Sequence, residues 1–237
     1  MTPLPPPLRT ARLHYPVTAL GPGTRLGIWT QGCPLACPGC MSRDTWDSGR
    51  GTLVPVAALA QVWHRVLTAG AAGVTISGGE PLSQPRAVAT LVTALDLVRA
   101  RIRPSADILL YTGYAPAELA DQLNAPHPHG PALAQILTHS DAVITGRFDI
   151  SQPTTAIWRG SANQQLHPLT PLGQRRYEPY VDYAPAAPPV QVGVDDTGLW
   201  IIGVPRHRQL AEFDRALRQR GLTLEGVSWR PSSTAAD

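Results

Sequence analysis

The stretch Gly73-Val-Thr-Ile-Ser-Gly-Gly-Glu-Pro81 decides how this chain of 237 residues is read. Gly73 to Ser77 is a compact apolar run of strand length, and Gly78-Gly79 stops it abruptly. On its N-terminal side Val56, Leu59, Ala60, Trp63, Val66 and Leu67 keep helical spacing up to Gly70, which suits a helix C-terminus. On its C-terminal side a second helix runs from about Ser83, with Val88, Leu91, Val92, Leu95 and Val98 on one face. Arg99, Arg101 and Arg103 sit near its end, where cations suit the helix dipole. Helix, strand, Gly-Gly turn, helix is one unit of an alternating α/β chain.

The alternation continues on both sides of this unit. Leu26–Gln31 is a β-prone run, Asp107–Tyr111 is the next strand, and Pro116 opens a helix over Ala117–Asn124. A short helix lies around Leu133–Leu137 and a strand at Ala142–Thr145. Near-continuous apolar strands separated by helices predict an α/β fold, a mostly parallel sheet in an open or partial (β/α) barrel. The active groups of such a fold stand at the strand C-terminal ends. Residues 1–24 read as a Pro-rich N-terminal segment closing at Gly21-Pro22-Gly23, residues 25–175 as the core domain and 176–237 as a C-terminal extension. Residues 146–189 read as irregular, with a Pro-rich linker from Pro179 to Pro189. In the extension, Val190–Val194 and Leu199–Val204 flank Asp195-Asp196-Thr197-Gly198 as a β-hairpin. Pro205 then opens a helix carrying Leu210, Phe213 and Leu217, and Leu222–Trp229 reads as a last strand.

Composition narrows the function classes. With 43% hydrophobic and 16% charged residues the chain buries a core, and 25 Pro and 21 Gly forecast many loops. No uncharged apolar run reaches the roughly 18 residues of a bilayer span, and Pro interrupts the N-terminus where a secretory signal needs an unbroken stretch, so the expectation is a cytoplasmic protein without a membrane partner. A net charge of +3, from 20 Lys+Arg against 17 Asp+Glu, is mild and dispersed, and no nucleic-acid partner is expected. The 3 Cys are an odd number confined to positions 33–40, which excludes a disulfide framework and asks for a metal.

That cluster is Cys33-Pro-Leu-Ala-Cys37-Pro-Gly-Cys40, a CxxxCxxC in a Gly- and Pro-rich loop. Three thiolates so close in sequence suit three irons of a [4Fe-4S] cluster and leave the fourth iron without a protein ligand. The alternative is a Cys3His zinc knot completed by His14 or His64, although structural zinc sites usually split their ligands into two separated pairs. At Ser77-Gly78-Gly79-Glu80, two glycines after a strand let a ligand approach the backbone, and the Glu80 carboxylate suits a ligand ammonium group. On its own the same segment is also a plain strand-to-helix turn. His127-Pro128-His129 reads as surface, and Arg206, His207 and Arg208 read as a solvated first helical turn rather than an anion site, since helix starts disfavour cations. Arg159 and Asn163 suit either recognition of a partner or carboxylate, or hydrogen bonds within their loop. The six Trp are mostly core candidates.

CxxxCxxC followed some 40 residues later by a strand and Gly-Gly-Glu-Pro resembles the radical S-adenosylmethionine (SAM) superfamily. Gly21-Pro22-Gly23-Thr24-Arg25, Gln31-Gly32-Cys33-Pro34, Cys37-Pro38-Gly39-Cys40 and Thr45-Trp46 narrow the resemblance to the activating proteins of glycyl radical enzymes, especially those of anaerobic ribonucleotide reductases. Tyr111-Thr112-Gly113-Tyr114 and Trp158-Arg159-Gly160-Ser161-Ala162-Asn163-Gln164 are similar to segments of the same family. The match spans about residues 14–165, and Gly39 stands where many superfamily members have an aromatic residue. The resemblance implies that Cys33, Cys37 and Cys40 ligate a [4Fe-4S] cluster whose open iron chelates SAM. Ser77, Gly78, Gly79 and Glu80 then line its methionine end, while Tyr111 and Thr112 contact its adenosine. It implies an oxidoreductase with a glycyl radical enzyme as protein partner and a flavodoxin- or ferredoxin-type reductant. The long extension keeps open a different target, a small molecule or peptide.

Overall fold

Ile28, Ile76, Leu110 and Val143 stand in register across four neighbouring strands, and that apolar row explains the architecture. The computed structural model describes residues 6–124, 128–196, 198–206 and 208–228. The four strands are β2 (Arg25–Thr30), β4 (Gly73–Gly78), β5 (Asp107–Tyr111) and β6 (Ala142–Thr145), all parallel. The helices between them are α1 (Val56–Thr68), α2 (Pro85–Ile102), α3 (Pro116–Asn124) and α4 (Gly130–His139). Helical spacing puts Leu59, Trp63 and Leu67 of α1 and Val88, Leu91 and Leu95 of α2 into one buried core with the apolar row. α1 ends where Gly70 N–H donates to Leu67 O and Ala71 N–H to Val66 O, the paired bonds of a Schellman end.

Three further strands complete a seven-stranded sheet of order β3-β1-β2-β4-β5-β6-β7. β1 (Leu8–Val17) runs antiparallel to β2 and to β3 (Thr52–Val54), and β7 (Gln165–Pro168) antiparallel to β6. The fold is therefore mixed α/β with a parallel centre, and its sheet stays open: the edges β3 and β7 do not pair, so no barrel closes.

Several expectations change. The Pro-rich segment contains β1, a full member of the sheet; its pattern escapes notice because only Leu8, Thr10 and Val17 are buried along ten residues. The stretch taken as irregular holds β7 and α5 (Pro171–Tyr177), elements of four and seven residues, too short for periodicity to declare. Thr170 caps α5 by accepting from Gly173 N at 3.0 Å. The hairpin forms as β8 (Val190–Asp195) and β9 (Gly198–Gly203), but the last helix, α6 (Gln209–Arg218), starts four residues after Pro205. Residues 222–228 are not a strand; Ser228 Oγ instead donates to Met41 O at 2.6 Å. Trp229, His127 and His207 lie outside the described residues.

Odd-face residues of the same strands build the opposite side. Leu109, Ala142 and Ile144 pack with Ile157, Trp158 and Tyr177, while Ile202 of the hairpin joins Val17, Ala19 and Leu20. Of the described Trp, Trp63 and Trp158 are buried; the others are partly exposed. At the strand N-terminal ends a buried Arg25 donates to both Asp107 carboxylate oxygens, at 3.1 and 2.5 Å, and to Thr75 Oγ1 at 2.7 Å. Among the described residues no helix is long and apolar enough to cross a membrane.

Candidate functional site

Parallel register brings Thr30, Gly78, Tyr111 and Thr145, the last residues of four strands, to one rim. The chain leaves β2 there and makes the cysteine loop, whose two legs are tied at the base. Gly32 N–H donates to Thr45 O at 2.8 Å and Cys33 N–H to Trp46 O at 3.0 Å. Gln31, buried at the strand end, donates from Nε2 to Asp44 O and Asp47 O and so holds the returning leg. A polar residue ending an apolar strand was the signal for Gln31, and composition alone gives it no such role.

The three cysteines are free thiols, each half-buried. Burial pushes the Cys33 thiol up, against the opposing pull of the Leu35 and Ala36 amides. Burial does the same at Cys37, opposed by the Phe148 amide. Both thiols feel Cys40 as a like charge, so the three sulfurs share one neighbourhood. Backbone amides aimed at half-exposed sulfurs on a tied loop suit thiolate ligation, in which metal binding expels the thiol protons. Among the described residues no three His, Cys, Asp or Glu converge as ligands of a single ion. Of the two histidines that could complete a zinc knot, His14 packs tilted against Trp200 with ring centroids 4.4 Å apart, and His64 is exposed on α1.

The Gly-Gly-Glu turn lies against this loop. A Cβ on Gly78, whose φ is +107°, would meet Thr30 N at 2.5 Å, and one on Gly79 would overlap Gly32 O. Gly79 N–H donates to Thr30 O at 2.8 Å and Glu80 N–H to Gly32 O at 2.9 Å. The close approach these glycines permit is therefore that of the chain's own backbone, which seats the first cysteine on β4. Glu80 is 1% exposed, and its Oε1 accepts from Leu82 N at 2.9 Å and Thr112 Oγ1 at 2.8 Å. Its Oε2 accepts from Gly113 N at 2.7 Å, leaving one acceptor position there. Burial pushes the Glu80 carboxyl up to about 7 despite those three donors. Glu80 and Thr112 thus tie the turn after β4 to the loop after β5.

Ser77, Tyr111 and Cys40 face a common cavity of about 480 Å³ on the sheet side away from α1 and α2. Trp158 and Phe148 also line it, and β9 with the residues before α6 forms its outer wall. Gly78, Gly79, Glu80 and Thr112 are absent from the lining, as are Cys33 and Cys37. Tyr111 Oη donates to Trp158 O at 3.1 Å, and burial raises its phenol so that it stays neutral. Phe148 and Ile150 abut Gly39, filling the space beside Cys40 from another loop. Arg159 is committed to Tyr180 O and Val181 O, and Asn163 to Arg147 O, so both serve their loops. His129 is exposed.

A family model described as "4Fe-4S single cluster domain" matches residues 19–167, which contain the cysteine loop, the Gly-Gly-Glu turn and the whole parallel sheet. The chain is 34% identical over 161 residues to the anaerobic ribonucleoside-triphosphate reductase-activating protein of Escherichia coli K12, covering 66% of this chain and 96% of that protein. It is 30% identical over 146 residues to the protein of that name from Enterobacteria phage T4, covering 62% and 85%. The Haemophilus influenzae counterpart is 34% identical over 158 residues, covering 65% and 94%. Matched by the model over more than half its length and by these relatives over nearly all of theirs, the chain belongs to the 4Fe-4S single cluster domain family, as an activase-like protein of the radical SAM type.

Proposed function

We propose that this chain cleaves SAM reductively and installs a radical on a glycine of a partner enzyme related to the anaerobic ribonucleotide reductases. The observation that carries the proposal is the rim itself: a three-thiol loop seated on the Gly-Gly-Glu turn, with Cys40, Ser77 and Tyr111 facing one cavity. Cys33, Cys37 and Cys40 hold a [4Fe-4S] cluster in this reading, and the relatives' names support the partner. When bound, the reduced cluster supplies the electron that splits SAM into methionine and a 5′-deoxyadenosyl radical able to take a hydrogen atom from the target.

The chain's own residues position and shield. Gly78, Gly79 and Glu80 fix the cysteine loop relative to β4, so that cofactor and target meet at a set distance. Glu80 keeps one acceptor position on Oε2 for the SAM ammonium group, and Ser77 borders the methionine end. Tyr111 gives the adenosine an apolar wall with a hydroxyl already engaged, with Thr112 holding the loop behind it. A flavodoxin- or ferredoxin-type protein is the proposed reductant. Residues 25–175 form the catalytic core in this reading and 176–237 the part that adapts it. The cavity walled by β9 favours one second reading, a small molecule or peptide as target.

Anaerobic reconstitution with iron and sulfide, followed by dithionite and SAM, is expected to yield 5′-deoxyadenosine. Cys37→Ala is expected to lose the cluster absorbance and at least 100-fold of the cleavage rate. A fully loaded wild-type cluster that cleaves no SAM would end the proposal. Mixing with a candidate reductase separates the targets, since a persistent glycyl doublet in electron paramagnetic resonance is expected only for glycine activation.

A further inference from the structure

Charge is unbalanced in the cavity beside Cys40. Among the described residues its charged side chains are Arg206 and Arg208, both from the loop between β9 and α6, and no Asp or Glu lines it. Among the described residues neither arginine pairs with a carboxylate. Arg206 is anchored, with Nη2 donating to Pro185 O at 2.6 Å and its amide to Gln209 Oε1 at 2.9 Å. Its Nε is nevertheless buried without a hydrogen-bond partner. Arg208 holds φ at +68°, the left-handed region that suits glycine, at the residue before α6. Arg208 is exposed at the cavity's edge, but an ordinary solvated helical turn accounts for neither the buried unpaired Nε of Arg206 nor the strained backbone of Arg208.

The other walls are largely apolar, with Leu20, Phe148, Trp158 and Ile202 among them. Cations in such surroundings are stabilised by an anion that completes their hydrogen bonds, and a guanidinium fork matches the two oxygens of a carboxylate or phosphate. The volume suits one small molecule. We propose that Arg206 and Arg208 form an oxyanion-binding subsite for a carboxylate or phosphate carried by the molecule that occupies this cavity. As a piece of the catalytic site it rests on the radical reading above; as a binding site it stands on the charge and geometry alone. Both arginines lie outside residues 19–167, so the subsite belongs to the extension built on the family core.

Calorimetric titration of the full chain with inorganic phosphate at constant ionic strength tests it without a cluster. Saturable binding is expected, weakened at least tenfold in Arg206→Gln and in Arg208→Gly and unchanged in Arg86→Gln, an exposed arginine of α2. Arg208→Gly is also expected to raise Tm, because glycine relieves the backbone, so its loss of binding cannot come from misfolding. Repeating the titration on the reconstituted chain with SAM present separates two sources of the anion. Displacement of phosphate by SAM assigns the subsite to the cofactor's carboxylate, and binding beside SAM assigns it to a substrate. Absence of saturable phosphate binding, or equal affinity in both arginine variants, overturns the subsite. Neither result bears on SAM cleavage, and a failure to cleave SAM leaves the phosphate titration unaffected.

Discussion

Glu80 shows how sequence can find a residue without showing which partners the fold gives it. Its position was legible only together with the cysteines, because a lone Gly-Gly-Glu also reads as a plain strand-to-helix turn. What it bonds across the sheet was not, since Thr112 and Gly113 reach it only through the parallel pairing of β4 with β5, whereas Leu82 is a local cap two residues on. The cysteine spacing, by contrast, is local chemistry and needed no fold. A testable consequence follows from the raised Glu80 carboxyl. A folded-state value of about 7 above an ordinary 4.5 means that the folded chain holds the proton more tightly than the unfolded chain. The metal-free chain therefore gains stability from Glu80 at low pH and loses it as pH rises from about 4.5 through 7. The span corresponds to about 3 kcal/mol. Urea unfolding of wild type and Glu80→Gln at pH 5 and pH 8 should show the gap between them change by that order, and a constant gap would refute the assignment. Glu80→Ala should cost about 3 kcal/mol at pH 5, because it strands several buried donors at once, and correspondingly less at pH 8, because alanine does not titrate.

Among the elements, sequence found those long or periodic enough to declare themselves and missed those held only by neighbours. α1 and α2 carry full apolar stripes, and β4 to β6 are mostly apolar and buried along most of their length. β1, β7 and α5 are ordered by partners: β1 by pairing on both sides, β7 by β6, and α5 by Tyr177, whose hydroxyl donates to Asp107. Asp107 is the centre of that lower layer, taking Arg25 from β2 and Arg176 from α5. The Gly21–Arg25 block, quoted for its resemblance beside the cysteines, is thus a lock at the opposite ends of the strands. Arg25→Met should lower unfolding free energy by about 3 kcal/mol, the lower end for an orphaned buried charge because Arg176 still faces Asp107. The iron bound per folded chain after reconstitution should stay that of wild type, since the cysteine loop lies at the other pole. A loss under about 1 kcal/mol would mean that Arg176 alone suffices for Asp107.

At the scale of the whole molecule the helices cover one face of the sheet, and the extension covers much of the other. The hairpin was legible from Asp195-Asp196-Thr197-Gly198 between two apolar runs. Its docking site was not, because a strand pattern states which residues seek burial without naming the surface that receives them. An isolated two-stranded ribbon is marginal in water, so β8–β9 owes its order to docking. Ile202 supplies the buried contact with Val17, Ala19 and Leu20, and Gln191 adds hydrogen bonds to Thr18 N at 2.6 Å and Pro16 O at 3.1 Å. Ile202→Asp places a charge in that apolar contact, and undocking of the hairpin relieves it more cheaply than unfolding of the sheet. Chymotrypsin should then cut after Tyr183, an exposed residue in the segment leading to the hairpin, at least tenfold faster than in wild type. The amino-terminal fragment should resist, since its helix-side core contains no residue beyond Val143 among its buried members. Cleavage at the wild-type rate would show that Ile202 does not hold the hairpin. Degradation of the entire chain at the rate of the first cut would show instead that core and extension fold as one unit, and that the cavity wall cannot open without the sheet.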